Sequence, residues 1–233
     1  REAGVTDFGL LFLAGEEEGG DGAKVANQAP GRNRFIINAE PTDFKQAVAG
    51  KGVLRVTLRA SGKAAHAAYP ELGDSAALKL LDVLADLRRT SWPEDPVLGP
   101  TTMNIGTIHA GLKANIIPPS AEAEVMFRTV TPCDSVFETL QAVVGDRAAI
   151  EVGSTSEAIR LKVIPGYGRG EVVVRFGTDI PYLGNWGQAM LFGPGSIHDA
   201  HTSHEFILKA DLLEAVDVYA GLVASLVKSG APA

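Results

Sequence analysis

Four short runs of apolar residues predict buried strands in the first and last parts of the chain. They lie at residues 8–13, 35–38, 171–176 and 188–192. Runs of this length without alternation are typical of strands that are covered on both faces of a parallel sheet. A closing amphipathic helix follows at residues 210–227. The pattern therefore predicts an α/β domain assembled from two separate parts of the chain, residues 1–50 and 156–233.

The pattern changes between these two parts. Residues 54–59 and 121–128 alternate between apolar and polar side chains, which is typical of strands with one solvated face. The other predicted elements are helices near residues 74–89 and 134–144 and strands near 103–108 and 149–152. The order strand-helix-strand-strand-helix-strand predicts a ferredoxin-like α+β domain inserted over residues 51–155. Its half-polar strands imply an exposed face or edge that can pair with another subunit.

Composition and net charge argue against several classes of binding partner. The 233 residues carry a formal net charge of -7, which argues against nucleic acid or an anionic membrane. A single cysteine, Cys133, excludes an intrachain disulfide framework and fits a reducing, cytoplasmic compartment. No apolar run reaches the roughly 18 residues that a membrane span needs.

Acidic and imidazole side chains follow three of the predicted buried strands. The run Glu16-Glu17-Glu18 follows the first strand, Glu40 follows the second, and His201 lies beyond the last. Because the carboxyl ends of parallel strands meet at one edge of a sheet, we expect these side chains to converge. Carboxylate and imidazole together suit zinc, with cobalt and manganese as alternatives. The alternative for the acidic run is a solvated turn whose charges favour the start of the next helix.

Several motifs, in their order along the chain, resemble those of a known family. They lie at residues 15–20, 39–42, 62–66, 114–118, 193–196 and 200–206. The chain is similar to the dinuclear zinc amidohydrolases and peptidases that include acetylornithine deacetylase, succinyl-diaminopimelate desuccinylase, aminoacylase and glutamate carboxypeptidase. The resemblance implies an α/β zinc-peptidase-like catalytic domain, here incomplete, with the inserted ferredoxin-like domain as a lid that forms a homodimer.

The same resemblance implies roles for single residues. Glu16 would be the general base, and Glu17, Glu40 and His201 would bind two zinc ions. A register shifted by one residue would make Glu17 the base and Glu18 the ligand, but the spacing to Gly22-Ala23 favours the first assignment. In the lid, the histidine would polarise the scissile carbonyl, and other side chains would hold the substrate. These lid residues are His66 for the carbonyl and Asn115 and Arg128 for the substrate, while Thr178 resembles a residue of a loop that lines the substrate pocket.

Two ligands of the family pattern have no match. The resemblance implies a histidine and a metal-bridging aspartate before the acidic run, yet no histidine precedes His66, and Asp7 is wrongly placed. We therefore expect the chain to be part of a longer protein, and we expect the 233-residue chain alone to bind metal weakly and turn over little.

The function that follows is metal-dependent hydrolysis of the amide bond of a small N-acyl amino acid. The Glu-Pro-Thr motif at residues 40–42 resembles the deacylases more than the carboxypeptidases. A dipeptidase or glutamate carboxypeptidase acting on a short peptide is the alternative within the enzymes. A binding protein that kept the fold and lost its metal centre is the alternative outside them.

Overall fold

The computed structural model describes residues 7–228, which form two compact units. The first unit contains the chain up to Gly50 and the chain from Ile159 onward, and the second is Lys51–Ala158. The helices are α1 (Asp21–Gln28), α2 (Ala76–Arg89), α3 (Cys133–Val144) and α4 (Lys209–Lys228). The strands are β1 (Phe35–Asn38), β2 (Gln46–Gly50), β3 (Gly52–Ser61), β4 (Glu94–Asp95), β5 (Gly99–Pro100), β6 (Thr102–Ala110), β7 (Ser120–Thr129), β8 (Ala149–Ser156), β9 (Ile159–Arg160), β10 (Glu171–Val174) and β11 (Gln188–Leu191).

The first unit has an α/β architecture with parallel strand pairs. Strand β1 pairs with β11 in parallel, and β2 lies between β10, to which it is parallel, and the short antiparallel β9. Helix α4 covers β11, because Leu222 and Leu226 pack with Met190 in one buried cluster. Phe44, Phe192 and Ala215 form a second cluster beside it. The expected mixture of helices and parallel strands is therefore present in the two parts of the chain that the sequence pattern indicated.

The first predicted strand is wrong. Residues 8–13 form no strand, and their largest side chains lie in solvent, with Leu10 77% and Phe12 88% exposed. A strand needs a neighbour that accepts its backbone hydrogen bonds, and the described residues provide none to this segment. The acidic run therefore does not follow a strand of the sheet. The run of apolar residues showed that the segment is hydrophobic, but it could not show whether another strand lies beside it.

The second unit is the ferredoxin-like domain. Its four-stranded antiparallel sheet has the order β6-β7-β3-β8, so the first and third long strands lie in the centre. Helices α2 and α3 cover one face, where they enclose a core that includes Leu58, Val125 and Phe127. Ser75 begins α2 by accepting a hydrogen bond from the Leu78 amide, as a helix N-cap does. The strand β8 continues to Ser156, four residues beyond its predicted end.

The other face of this sheet is solvated, as the alternation predicted. Arg55 pairs with Glu124 at 3.4 Å, and Arg59 pairs with Glu122 and, at 3.2 Å, with Glu151. These ion pairs cross between neighbouring strands and satisfy charges that the core could not hold. In the part of the chain that is described, no helix has the length and apolar character needed to cross a membrane.

Candidate active site

The acidic run lies in a tight turn that glycine makes possible. The Gly20 amide donates to the Gly15 carbonyl at 2.8 Å, and both glycines have positive φ, at 73° and 78°. The Gly22 amide donates to the Ala14 carbonyl at 3.0 Å, and a Cβ on Gly22 would meet the Ala14 nitrogen at 2.8 Å. Helix α1 begins directly after the turn. The spacing between the acidic run and Gly22 is therefore fixed by a close approach of two backbone segments.

A second turn presents Glu40 at the end of β1. The Thr42 amide donates to the Gly193 carbonyl at 3.2 Å, and the Thr42 hydroxyl accepts from the Gly193 amide at 3.1 Å. Gly193 follows β11 and lies so close that a Cβ there would overlap the Glu40 carbonyl oxygen. Because β1 and β11 are parallel neighbours, Glu40 and the residues after β11 emerge at the same end of the strand pair.

His201 reaches the acidic run from the segment after β11. Its Nε2 lies 2.7 Å from Oε1 of Glu17, and its backbone amide donates to Oε2 of Glu205 at 2.8 Å. His201 has φ 61°, a left-handed conformation that costs energy in a residue with a Cβ, so the Glu205 contact compensates for local strain. Within the described part of the chain, the hydrogen bonds of His198 and His204 go to Ser196 and Ser203 and not to the acidic run. The structure thus brings together Glu17 and His201, which are 184 positions apart in sequence.

Three carboxyl groups around this contact have raised pKa values. Burial raises the pKa of Glu40 to about 7, and the nearby Glu16, Asp179 and Glu17 charges add to the effect. Burial, followed by repulsion from Glu17 and Asp179, raises the pKa of Glu16, while His201 lowers it in part. Burial also raises the pKa of Asp179. When they are ionised, these carboxyl groups repel one another, so the cluster favours a positive charge beside it.

These residues suit a divalent cation in donor chemistry but do not form a coordination sphere. Carboxylate oxygens and imidazole nitrogen are ligands that zinc and related metals accept, and the buried Oδ1 of Asp179 lacks a hydrogen-bond partner. Among residues 7–228, however, no three His, Cys, Asp or Glu side chains are placed to hold a metal ion. Glu17 and His201 instead contact each other directly. The donor atoms and the crowded carboxyl groups therefore fit a metal ion, but the described residues alone do not form its ligand geometry.

Sequence reasoning missed Asp179. It lies next to Thr178, between β10 and a 3₁₀ helix at Ile180–Tyr182, and only 5% of its surface is exposed. An acid in a Gly-Thr-Asp turn after a predicted buried strand was the available signal. Thr178 itself is 8% exposed, and its hydroxyl accepts a hydrogen bond from the Ile180 amide at 3.2 Å. The Thr178 side chain therefore holds this turn together rather than pointing into solvent.

In the second unit, two of the predicted lid residues are adjacent. His66 and Ile116 form an isolated antiparallel bridge, and the Ala67 amide donates to the Asn115 carbonyl at 3.0 Å. His66 and Asn115 are both exposed, and Nδ1 of His66 accepts from the Ala68 amide at 3.1 Å. Because Nδ1 accepts this hydrogen bond, Nε2 is the ring nitrogen that could donate to a substrate group.

Arg128 lies on the solvated face of β7, opposite Val53 and Thr102 of the neighbouring strands. The surrounding protein half-buries its guanidinium and lowers its pKa by removing water from the charge. A half-buried guanidinium gains more than an exposed one from a carboxylate that binds with two parallel hydrogen bonds.

A cleft of about 310 Å³ lies in the first unit beside the site. Pro41, next to Glu40, forms part of its wall, together with the turn that contains Gly195. The wall is completed by Asp199 and Ala200 and by Glu205, Phe206 and Ile207. Ala200 directly precedes His201, so the cleft is bounded by the segments that present two of the candidate ligands.

Comparisons with known proteins agree with this architecture. Residues 48–152 match the family model described as M20_dimer, a peptidase dimerisation domain. A peptidase M20 domain-containing protein of Schizosaccharomyces pombe is 38% identical over 93% of this chain and 55% of its own length. A probable carboxypeptidase of Aspergillus terreus is 36% identical over 93% of this chain and 57% of its own. The chain thus spans little more than half the length of these relatives.

Solved structures show the same fold. Aminopeptidase PepT of Bacillus cereus superposes with a TM-score of 0.69 at 20% identity, over 90% of this chain and 61% of that protein. A tripeptidase of Staphylococcus aureus gives a TM-score of 0.67 at 19% identity, over 90% and 60%. The fold class predicted from the sequence, an incomplete zinc-peptidase-like α/β domain with an inserted dimerisation domain, is confirmed. The predicted family resemblance is confirmed as well: residues 48–152 match the M20 dimerisation domain, and the M20 domain-containing relative aligns with 93% of this chain.

Proposed function

We propose that the protein containing this chain is a metal-dependent hydrolase that cleaves the amide bond of a small N-acyl amino acid. The observation that carries the proposal is the convergence of Glu17 and His201, 2.7 Å apart, beside Glu16 and Glu40. Zinc bound by Glu17, Glu40 and His201 would supply a Lewis acid and a water of lowered pKa. Cobalt and manganese accept the same ligands.

Glu16 is the residue suited to move the proton. Its raised pKa brings protonation closer to neutral pH, where a carboxyl group can accept a proton from water and later donate it to the leaving nitrogen. Partial burial and the neighbouring Glu17 and Asp179 charges cause that shift. In this proposal the first unit holds Glu16 and the metal ligands, and Lys51–Ala158 acts as lid and dimerisation domain.

The lid residues supply substrate contacts in this proposal. Arg128 is half-buried, so a substrate carboxylate would be a favourable partner for its guanidinium. His66 would donate to the scissile carbonyl oxygen as negative charge develops there, and Asn115 would hold the substrate nearby. Thr178, in the first unit, would help to form the substrate pocket through the turn that its hydroxyl stabilises.

Carboxypeptidase or dipeptidase activity on a short peptide is the second candidate, favoured by the naming of the Aspergillus relative as a probable carboxypeptidase. Both substrate classes have a free carboxylate beside the scissile amide. They differ in the acyl side, which is a simple acyl group in one and an amino acid residue in the other.

A substrate panel tests both candidates. The whole protein that carries this sequence in its native source would be supplied with zinc or cobalt and offered N-acetyl amino acids, dipeptides and N-blocked dipeptides, with release of free amino acid measured. We expect hydrolysis of the acetyl amino acids, reduced about 10²-fold or more by Glu16→Gln. Preferential cleavage of peptides would support the second candidate. Metal binding without hydrolysis of any compound would favour a non-catalytic binding protein.

The isolated 233-residue chain provides a further comparison. We expect it to hydrolyse the same substrates slowly and to bind metal weakly, because the described residues contain no three-ligand site. Rapid hydrolysis by the pure chain would contradict this expectation.

We propose a homodimer formed through the second unit. Strand β6 is at the edge of the sheet, and among the described residues eight of its nine positions pair on one side only, with β7. Leu78 and Leu81 are 63% and 52% exposed on α2, the helix that packs against β6 and β7. An open strand edge beside exposed leucines is a surface that a second copy can cover.

A further inference from the structure

The buried core of the first unit is divided into small clusters. Its described residues form clusters of five, three and three buried residues, whereas a single cluster of 17 lies in the second unit. The two units contain similar numbers of described residues. A domain usually packs its elements around one contiguous core. The divided core therefore indicates that the first unit has apolar surface that a further part of the protein covers.

Residues 8–13 expose four large apolar side chains of this unit. Phe8 and Leu11 are 41% and 40% exposed, and Leu10 and Phe12 are 77% and 88% exposed. In the described part of the chain, no backbone hydrogen bond reaches this stretch, so its amides and carbonyls are open to a partner. In an extended pairing, Leu10 and Phe12 would lie on the same face. The stretch thus combines the two features of an unpaired strand, a free backbone and an apolar face.

The relatives of this chain are much longer than the part that it matches. The Schizosaccharomyces pombe and Aspergillus terreus proteins each align with 93% of this chain, yet more than two fifths of each protein lies outside the match. A segment joined to this chain by peptide bonds reaches an open strand at a high effective concentration, which a separate molecule does not. These observations favour a further segment of the same polypeptide as the partner of residues 8–13.

We propose that residues 8–13 are an intramolecular docking strand, which pairs in the whole protein with a segment of the same polypeptide outside these 233 residues. The added strand would satisfy the free backbone groups, and its side chains would cover Leu10 and Phe12. Because the Gly15 turn begins two residues later, the same pairing would fix the start of the turn that presents Glu16 and Glu17. The pairing requires neither a metal ion nor a substrate, so it is independent of the proposed hydrolysis.

Hydrogen exchange tests the proposal on the whole protein from its native source and on the 233-residue chain. Exchange at residues 9–13 would be followed by mass spectrometry of peptic peptides at equal protein concentrations. We expect exchange to be about 100-fold slower, or more, in the whole protein, because each paired amide gains an acceptor. Strand β7 is paired on both sides, with β3 and β6, and should be protected in both proteins.

Two results of this experiment would overturn the proposal. Equal exchange at residues 9–13 in the two proteins would show that no segment outside the 233 residues pairs with them. Protection in the 233-residue chain that increases with its concentration would assign the cover to a second copy of the chain.

A charge placed on the docking strand provides a second test. Leu10→Glu would be compared with Leu112→Glu, since Leu112 is a comparably exposed leucine, at 81%, in the second unit. In the 233-residue chain, both variants should keep the wild-type urea midpoint. In the whole protein, only Leu10→Glu should lower it, by about 1 M or more, because a carboxylate would be buried without a partner.

Equal midpoints of the two variants in the whole protein would contradict the burial of Leu10. If Leu10→Glu does not fold in the whole protein, Leu10→Ala should lower the midpoint by a smaller amount, because it removes apolar contacts without adding a charge. An unchanged midpoint in Leu10→Ala would then overturn the proposal.

Discussion

Glu40 is the residue whose environment most clearly links the site to stability. Its pKa in the folded chain is about 7, against 4.5 without the protein environment, because burial and neighbouring carboxylates disfavour its charged form. Between these values the folded chain retains a proton that the unfolded chain has released. The free energy of unfolding of the metal-free chain should therefore fall as pH rises from about 4.5 to about 7.

Glu40→Gln should remove part of this dependence. Glu40 is partly exposed, so solvent screening reduces its contribution to about 1–2 kcal/mol across that interval. Urea unfolding in chelator at several pH values would measure it, with Glu171→Gln, at an exposed acid at the start of β10, as the control. Glu16 and Asp179 act in the same direction, so a smaller slope remains in Glu40→Gln. A wild-type chain that becomes more stable over this interval would contradict the assignment.

At the scale of elements, the contact between the turns after β1 and β11 fixes the position of Glu40. Gly193→Ala should disrupt it, because the new Cβ would overlap the Glu40 carbonyl oxygen and lie 2.8 Å from the Ala39 carbonyl oxygen. Backbone atoms cannot move aside as a side chain can. We expect the free energy of unfolding to fall by about 1–3 kcal/mol and cobalt affinity to fall with it.

Gly184→Ala is the matched control for this substitution. A Cβ on Gly184 meets nothing within 4 Å, and its backbone needs no positive φ. Its unfolding midpoint and cobalt affinity should stay close to those of the wild type. Equal effects of the two substitutions would show that the turn contact does not position Glu40.

Some secondary-structure elements could be predicted from the sequence, and others could not. The alternation over residues 54–59 and 121–128 is a property of each strand by itself. The ferredoxin-like unit, with its core face and its solvated face, could therefore be predicted from the sequence. The apolar run at residues 8–13 looked the same as a buried strand, but burial depends on a neighbour that local pattern does not encode. Strand positions alone would therefore have misplaced the acidic run.

The candidate site also contains residues that the sequence predicted and one residue that it did not. Glu17 and His201 were expected to converge because each follows a predicted strand, and the structure places them in contact although residues 8–13 form no strand. Their roles, which the family resemblance implies, remain a prediction. Asp179 was missed because one acid in a turn carries no pattern of its own. Its significance comes from a buried oxygen without a donor, which is a property of packing between distant segments.

At the scale of the whole molecule, exposed apolar side chains lie on two different surfaces that a second copy of the chain could cover. In the first unit, exposed apolar side chains such as Leu213, at 72%, lie on α4, while in the second unit Leu78 and Leu81 lie on the helix beside the open β6 edge. Only the second set combines apolar surface with an unpaired strand edge and a match to a peptidase dimerisation domain. A dimer should therefore depend on α2 and not on α4.

Charge substitutions would distinguish these surfaces by sedimentation velocity. We expect the wild-type chain to sediment as a dimer and the double variant Leu78→Glu, Leu81→Glu to sediment as a folded monomer, because carboxylates on both copies would repel one another and lose solvation at the interface. The control Leu213→Glu introduces a carboxylate at a comparably exposed leucine of α4 and should remain dimeric. Circular dichroism would verify that each variant is folded. A double variant that remains dimeric, or a wild-type chain that is monomeric at micromolar concentration, would show that the surface formed by α2 and β6 is not where two copies of this chain meet.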